Sequence, residues 1–209
     1  MSNSPITRYS ASFTAGGLLH KETSALLPLL LSEQREQQMR EEIKQNQYLR
    51  INSESARERI GREIIKRVQR TDKPFWDFYM ESSIEQQKML LLYLCLTTYP
   101  LMFDFHFNVT LKQWNSSSKA VDPYFYQMEI ERIATHDEVV DKWADRTRRN
   151  AISVYLRMLK EVRMLNEQNQ LQPIHIEDRF WQFFVSGREL WFLDAALLHK
   201  QEKERIMRL

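Results

Sequence analysis

The sequence predicts a mainly α-helical fold: a helical bundle with one segment laid out as a winged helix-turn-helix and a short β-hairpin. Three observations predict it. There are only 4 Gly and 6 Pro in 209 residues, whereas sheet-rich folds spend more of both on turns. Apolar residues recur at three- and four-residue steps through most of the chain. Capping sequences stand before several of those stretches.

Taken in order, Tyr9 to Thr14 alternates aromatic and small polar residues, which fits a short strand or an anchored arm. Gly16-Gly17 follows, without the spacing of a phosphate loop. Leu18 to Leu31 is apolar and interrupted by Pro28, so a helical turn or two is expected on each side. Glu33 to Arg50 is rich in Gln, Glu and Arg, with a thin stripe of Met39 and Ile43. A helix so polar is exposed or faces a partner. Ser55-Ala56-Arg57-Glu58 reads as a capping box, and Ile60, Ile64 and Val68 behind it form a core stripe. Asp72-Lys73-Pro74 opens a short helix bearing Phe75, Trp76, Phe78 and Tyr79. Ser83 to Gln86 is a second capping box, before the apolar helix Met89 to Leu96. Pro100 breaks that helix. Leu101 to Trp114 resumes as a buried helix, although periodicity alone leaves a strand open.

Asn115 to Ser118 is the best loop, and it divides residues 1–118 from 119–209, two regions that can also pack as one. Asp122-Pro123 restarts a helix with Tyr124, Phe125, Met128 and Ile133. Thr135 to Glu138 is a third capping box, opening a short helix with Val139, Val140 and Trp143. After a break at Ala144-Asp145 a long helix carries Ile152, Tyr155, Leu156, Leu159 and Val162 on one stripe. Asn166 to Gln170 reads as the turn of the hairpin, and Leu171 to Ile176 as a short strand. Asp178 to Leu198 is a last helical block, and His199 to Leu209 a charged, frayed end.

Composition bounds the function. Apolar residues at 43% support a core, and a net charge of +2 does not select a partner class. Cys95 is the sole cysteine, so no intrachain disulfide forms and a reducing, cytoplasmic location is expected. The polar N-terminus lacks the basic start and apolar core of a signal peptide. Met89 to Phe107 is apolar but carries Pro100, Asp104 and His106. Ionisable groups at bilayer depth cost several kcal/mol, so a buried core rather than a membrane span is expected.

Two basic clusters point to function. Between Arg57 and Arg70 six cations stand against two anions, and Arg59, Arg62, Lys66 and Arg70 share one helical face, with Arg67 beside them. Between Lys142 and Arg163 seven cations stand against two anions. Arg146, Arg148, Arg149 and Asn150 open the long helix, and Lys160 lies further along it. Cations in a first helical turn oppose the helix dipole, and a phosphate there removes the conflict. Arg and Asn also bond bidentately to guanine and adenine edges. A short helix, a break, a long helix with a basic start and a hairpin is the order of a winged helix-turn-helix, whose second helix enters the major groove. A charged, solvated bundle helix is the plainer alternative.

Other chemistry is poorly served. His20, His106, His136, His175 and His199 are scattered and form no compact ligand motif, so no metal site is expected. Asp104 and His106 read as a buried polar pair. No carboxylate cluster suits a nuclease. No catalytic residue, cofactor or small-molecule substrate is expected.

The run Arg8-Tyr9-Ser10-Ala11-Ser12-Phe13-Thr14-Ala15-Gly16-Gly17-Leu18-Leu19 resembles the start of the BrxA family, accessory proteins of bacteriophage exclusion (BREX) defence systems. Trp143-Ala144-Asp145-Arg146-Thr147-Arg148-Arg149-Asn150, with the Ser153 to Leu165 helix after it, is similar too. The resemblance implies a fold like that of the NusB antitermination factor, double-stranded DNA binding, and partners among the other BREX proteins, including a DNA methyltransferase and ATPase-like subunits. The expectation is therefore a non-catalytic duplex-DNA binder. The alternatives are a protein-interaction scaffold or a NusB-like RNA-binding module.

Overall fold

Where glycine and proline are scarce the backbone satisfies its own polar groups locally, by coiling. The computed structural model describes residues 8–209. Among them there are helices and turns but no strand. The chain divides into two compact units, Ser12–Thr98 and residues 8–11 with 99–209. The division falls at Thr98, and the Asn115 to Ser118 loop is a turn inside the second unit.

The first unit contains α1 (His20–Leu30), α2 (Arg35–Gln45), α3 (Glu54–Val68), α4 (Lys73–Glu81) and α5 (Ile84–Thr98). Pro28 sits in the last turn of α1 and does not split it, because only one helical hydrogen bond is lost so close to the end. Helix α3 starts two residues before the expected box: Ser53 is the cap and accepts from the Ala56 amide. At α5 the expected box is formed, with Ser83 and Gln86 bonding each other's amides. Helix α3 packs on α1, α2 and α5 through Ile60, Ile64 and Val68.

Two buried charges hold the turns of this unit. The Glu42 carboxylate accepts from the amides of Gln47, Tyr48 and Leu49 at 2.8–3.1 Å, where Asn46 at φ 54 ends α2. The Arg57 guanidinium donates to the carbonyls of Ile43, Ile51 and Asn52. One side chain thus satisfies the amides of the loop and the other its carbonyls, and both sets of bonds are charge-assisted. Glu42→Gln keeps the shape and removes the charge, and should lower stability by about 2 kcal/mol in urea unfolding. Arg67, 1% exposed, donates to the carbonyls of Gly17 and Leu18. Gly17 lies at φ 74, a conformation that favours glycine. The preceding residues 8–11 are an anchored arm rather than a strand. In the second unit, the Tyr9 hydroxyl donates to Asp104 at 2.7 Å.

The second unit continues with α6 (Pro100–Trp114), α7 (Pro123–Ala134), α8 (Glu138–Asp141), α9 (Asp145–Glu161), α10 (Asp178–Ser186), α11 (Trp191–Ala195) and α12 (Lys200–Ile206). Pro100 ends the apolar run as a continuous helix. No single helix among the described residues is long and apolar enough to cross a membrane. The cap of α8 is Asp137, whose carboxylate accepts from the Val139 and Val140 amides, not Thr135. The tail is ordered rather than frayed: Ile206 is buried and Arg205 pairs with Asp178.

The expected hairpin is absent. Around Asn166 to Gln170 there are only isolated antiparallel bridges, Leu165 to Leu171 and Ala120 to Gln170. Helix α9 ends at Glu161, Arg163 adopts φ 60, and Pro173 follows two residues after Leu171. That leaves no length for two paired arms, and Pro173 has no amide to extend a ladder. Leu171 to Ile176 is likewise not a strand.

Within α6, Phe105–Thr110 widens into a π-helical turn. It carries His106, fully buried, into a closed hydrogen-bond chain. The Ala195 carbonyl can only accept, so Nε2 of His106 is the protonated nitrogen, at 2.7 Å. Nδ1 then accepts from the Tyr155 hydroxyl at 2.9 Å. Tyr155 accepts from Thr110 at 2.7 Å, and Thr110 from Tyr126 at 2.9 Å. Burial drives His106 down to about 4 and pushes the two phenols up, so every member is neutral. Asp104 is not part of this chain; it faces Arg8 and Tyr9.

Candidate nucleic-acid interface

Helix α9 is cut into two faces by its sequence. Ala151, Ile152, Val154, Tyr155, Met158 and Leu159 are buried and hold it against the unit. Arg146, Arg149, Asn150, Ser153 and Arg157 recur at three- and four-residue steps on the opposite face, all exposed. The expected core residue Trp143 is half-buried, and Val140 is fully buried.

The arginines of the first turn divide by role. Arg146 and Arg149 form no ion pair among the described residues. Arg148 is committed elsewhere: its Nε donates to the Trp143 carbonyl at 3.2 Å and its Nη2 to the Asp141 carbonyl at 2.8 Å. It thereby caps the carbonyl end of α8, where a cation is favourable. The dipole conflict at this position is resolved by protein carbonyls, without need of a phosphate. Arg148 therefore leaves the set of groove-facing residues. Arg148→Ala should cost about 1–2 kcal/mol of stability by freeing those carbonyls. Its effect on DNA affinity should be far smaller than that of Arg149→Ala, in binding and thermal-melting assays on the same preparations.

Further along, Lys160 is half-buried and lies 3.2 Å from Glu167, and Arg157 lies 3.8 Å from Glu161. Both pairs are at the surface, where such contacts are worth about 0–1 kcal/mol, so an external anion would displace either carboxylate at little cost. Arg157 joins the site although the basic first turn does not point to it. Its signal is its place eight residues after Arg149 on the same helical face.

On α3, and in the turn after it that holds Arg70, the cations also sort. Arg59, Arg62 and Arg70 are exposed, and Lys66 is half-buried with Nζ 3.5 Å from the Ser12 hydroxyl. Arg67 is excluded from any surface role, since its guanidinium is spent inside on Gly17 and Leu18. The cause is positional: Arg67 stands next to the buried Ile64/Val68 stripe, whereas Lys66 one residue earlier is only half-buried, beside Ser12. Among the described residues no group of three or more His, Cys, Asp or Glu side chains converges as a metal site.

A profile of the BrxA family matches residues 7–186. A crystal structure of an uncharacterized protein from Magnetospirillum magneticum has a similar fold, with a TM-score of 0.79 and 19% sequence identity. The match covers 91% of this chain and 98% of that one. No curated protein matches the chain.

Proposed function

Since this chain belongs to the BrxA family, we propose that it is a non-catalytic, duplex-DNA-binding accessory component of a bacteriophage exclusion system, working in the cytoplasm beside other BREX proteins. The observation that carries this reading is the outer face of α9. Arg146, Arg149, Asn150, Arg157 and Lys160 form a row about 20 Å long, at 1.5 Å per residue. A row of that length and sign suits the phosphates along one groove edge. Asn150 beside Arg146 and Arg149 supplies side chains able to reach base edges. Arg59, Arg62 and Lys66 on α3, with Arg70 in the turn that follows it, make a second phosphate-contacting face in the other unit.

Phosphate contacts supply most of the affinity in this reading, so binding weakens steeply with salt. The four cations of the α9 row alone correspond to a log–log slope of about −4, and contacts from the second face steepen it. The test is a titration of fluorescent random duplex DNA across a salt series, with duplex RNA as competitor. A slope near zero, or displacement by RNA in preference to DNA, would refute the reading. A NusB-like RNA-binding role would survive only in the second case.

A further inference from the structure

Beside the cationic row, α7 and α9 enclose a groove of about 630 Å³. Its apolar surface comes from Pro123, Tyr124, Ile152 and Leu156. Arg149, Arg157 and Lys160 stand along the α9 side, and among the described residues no carboxylate lines it. The α7 side stays apolar beyond the groove: Tyr124, Phe125 and Met128 are 59%, 44% and 43% exposed. Three large apolar side chains in one turn and a half of helix, all facing water, are unusual for a surface with no partner.

We propose that this groove is the docking site for an acidic amphipathic helix of a partner protein. The two walls dictate the occupant. A ligand there must offer apolar side chains to Tyr124, Ile152 and Leu156, and negative charge to Arg149, Arg157 and Lys160. Duplex DNA meets the second demand and not the first, because its outer surface is phosphate and sugar with no apolar ridge. A helix with apolar anchors at i, i+4 and i+7 and carboxylates on one flank meets both. From Arg149 to Lys160 the wall runs about 17 Å, which is about three turns of a docked helix. The existing pairs Arg157–Glu161 and Lys160–Glu167 show the carboxylate chemistry that the partner's acids would replace. Because the three cations also belong to the row assigned to DNA, the docked helix and the duplex exclude one another. That last clause alone rests on the DNA-binding reading.

The experiment uses the whole chain and a fluorescein-labelled synthetic helix of about 15 residues, with leucines on one stripe and glutamates beside it. Binding is read by anisotropy without DNA. The expected result is saturable binding that Tyr124→Ala weakens about tenfold, equivalent to about 1.4 kcal/mol. Tyr124 is largely exposed, so the variant should fold normally. Its affinity for duplex DNA should stay within about twofold of the wild type, since no charge is lost. Arg149→Glu/Arg157→Glu should lose the acidic peptide and gain a version with lysines in place of glutamates, a swap that a merely unfolded variant does not produce. Equal binding of a peptide with the same composition but scattered leucines would overturn the proposal. So would indifference to Tyr124→Ala, or a single-stranded oligonucleotide that binds and is lost in Tyr124→Ala, which would make the groove a nucleobase platform.

Discussion

The variant Arg146→Glu/Arg149→Glu/Arg157→Glu is expected to bind random duplex DNA on the order of 100-fold more weakly than the wild type at about 50 mM salt. Each substitution removes one released counterion and adds one repulsive charge. The log–log salt slope should shrink by about 3, close to 0.9 for each phosphate no longer neutralised. All three residues lie on the solvent face of α9, opposite Tyr155 and Leu159, so the helical circular dichroism should not change. Arg148→Glu is the informative contrast. That residue holds the Asp141 and Trp143 carbonyls, so its loss should appear first as a lowered melting temperature. A triple variant that binds within about twofold of the wild type would remove α9 from the interface altogether. Full retention of binding by that variant and by a matching Arg59→Glu/Arg62→Glu/Arg70→Glu variant would leave duplex binding without any footing in this chain.

Acid should weaken the second unit well before its carboxylates are protonated. His106 titrates near 6.5 in an unfolded chain and near 4 in the fold, because burial disfavours its charged form. Between those values the unfolded chain binds the extra proton and the folded chain does not, so stability falls as pH drops from about 6.5 to about 4. Above that window the contribution is complete, and below it no further loss comes from this residue. The size is about 3 kcal/mol, from about 2.5 pH units at 1.36 kcal/mol each. Protonating Nδ1 would place a charge in the dry core. It would also turn the Tyr155 hydroxyl away from the nitrogen it now serves, disturbing Thr110 and Tyr126 behind it. Urea unfolding at pH 7, 6, 5 and 4 (about one-unit steps) measures this against His106→Gln, which cannot titrate. The wild type should converge on the variant as pH falls. Parallel curves across the whole window would show that His106 is not the buried neutral partner of Ala195 and Tyr155.

Much of the molecule is legible in the residues themselves. The Ile60/Ile64/Val68 and Ile152/Tyr155/Leu159 stripes are buried faces of α3 and α9, because a period near 3.6 leaves one side of a helix apolar. The second capping box stands where Ser83 and Gln86 put it. The first and third lie two residues away from the real caps, since Ser53 and Asp137 compete with Ser55 and Thr135 and the downstream packing chooses between them. The absence of the hairpin is not legible in the residues, because turn residues mark a reversal of the chain without stating how many residues remain to pair on either side.

What the sequence determined by itself is the helical class, the outward face of α9 and the concentration of cations there, all consequences of spacing along a single helix. What only the tertiary structure decided is which cations are free. Arg146 and Arg148 are equally basic and two residues apart, yet one meets solvent and the other meets the carbonyl end of α8. Arg67 and Lys66 are adjacent, yet Arg67 is sealed against Gly17 and Leu18 while Lys66 stays half-buried beside Ser12. A guanidinium is spent or available according to the carbonyls that other segments bring within about 3 Å of it, and periodicity within one helix carries no information about those segments.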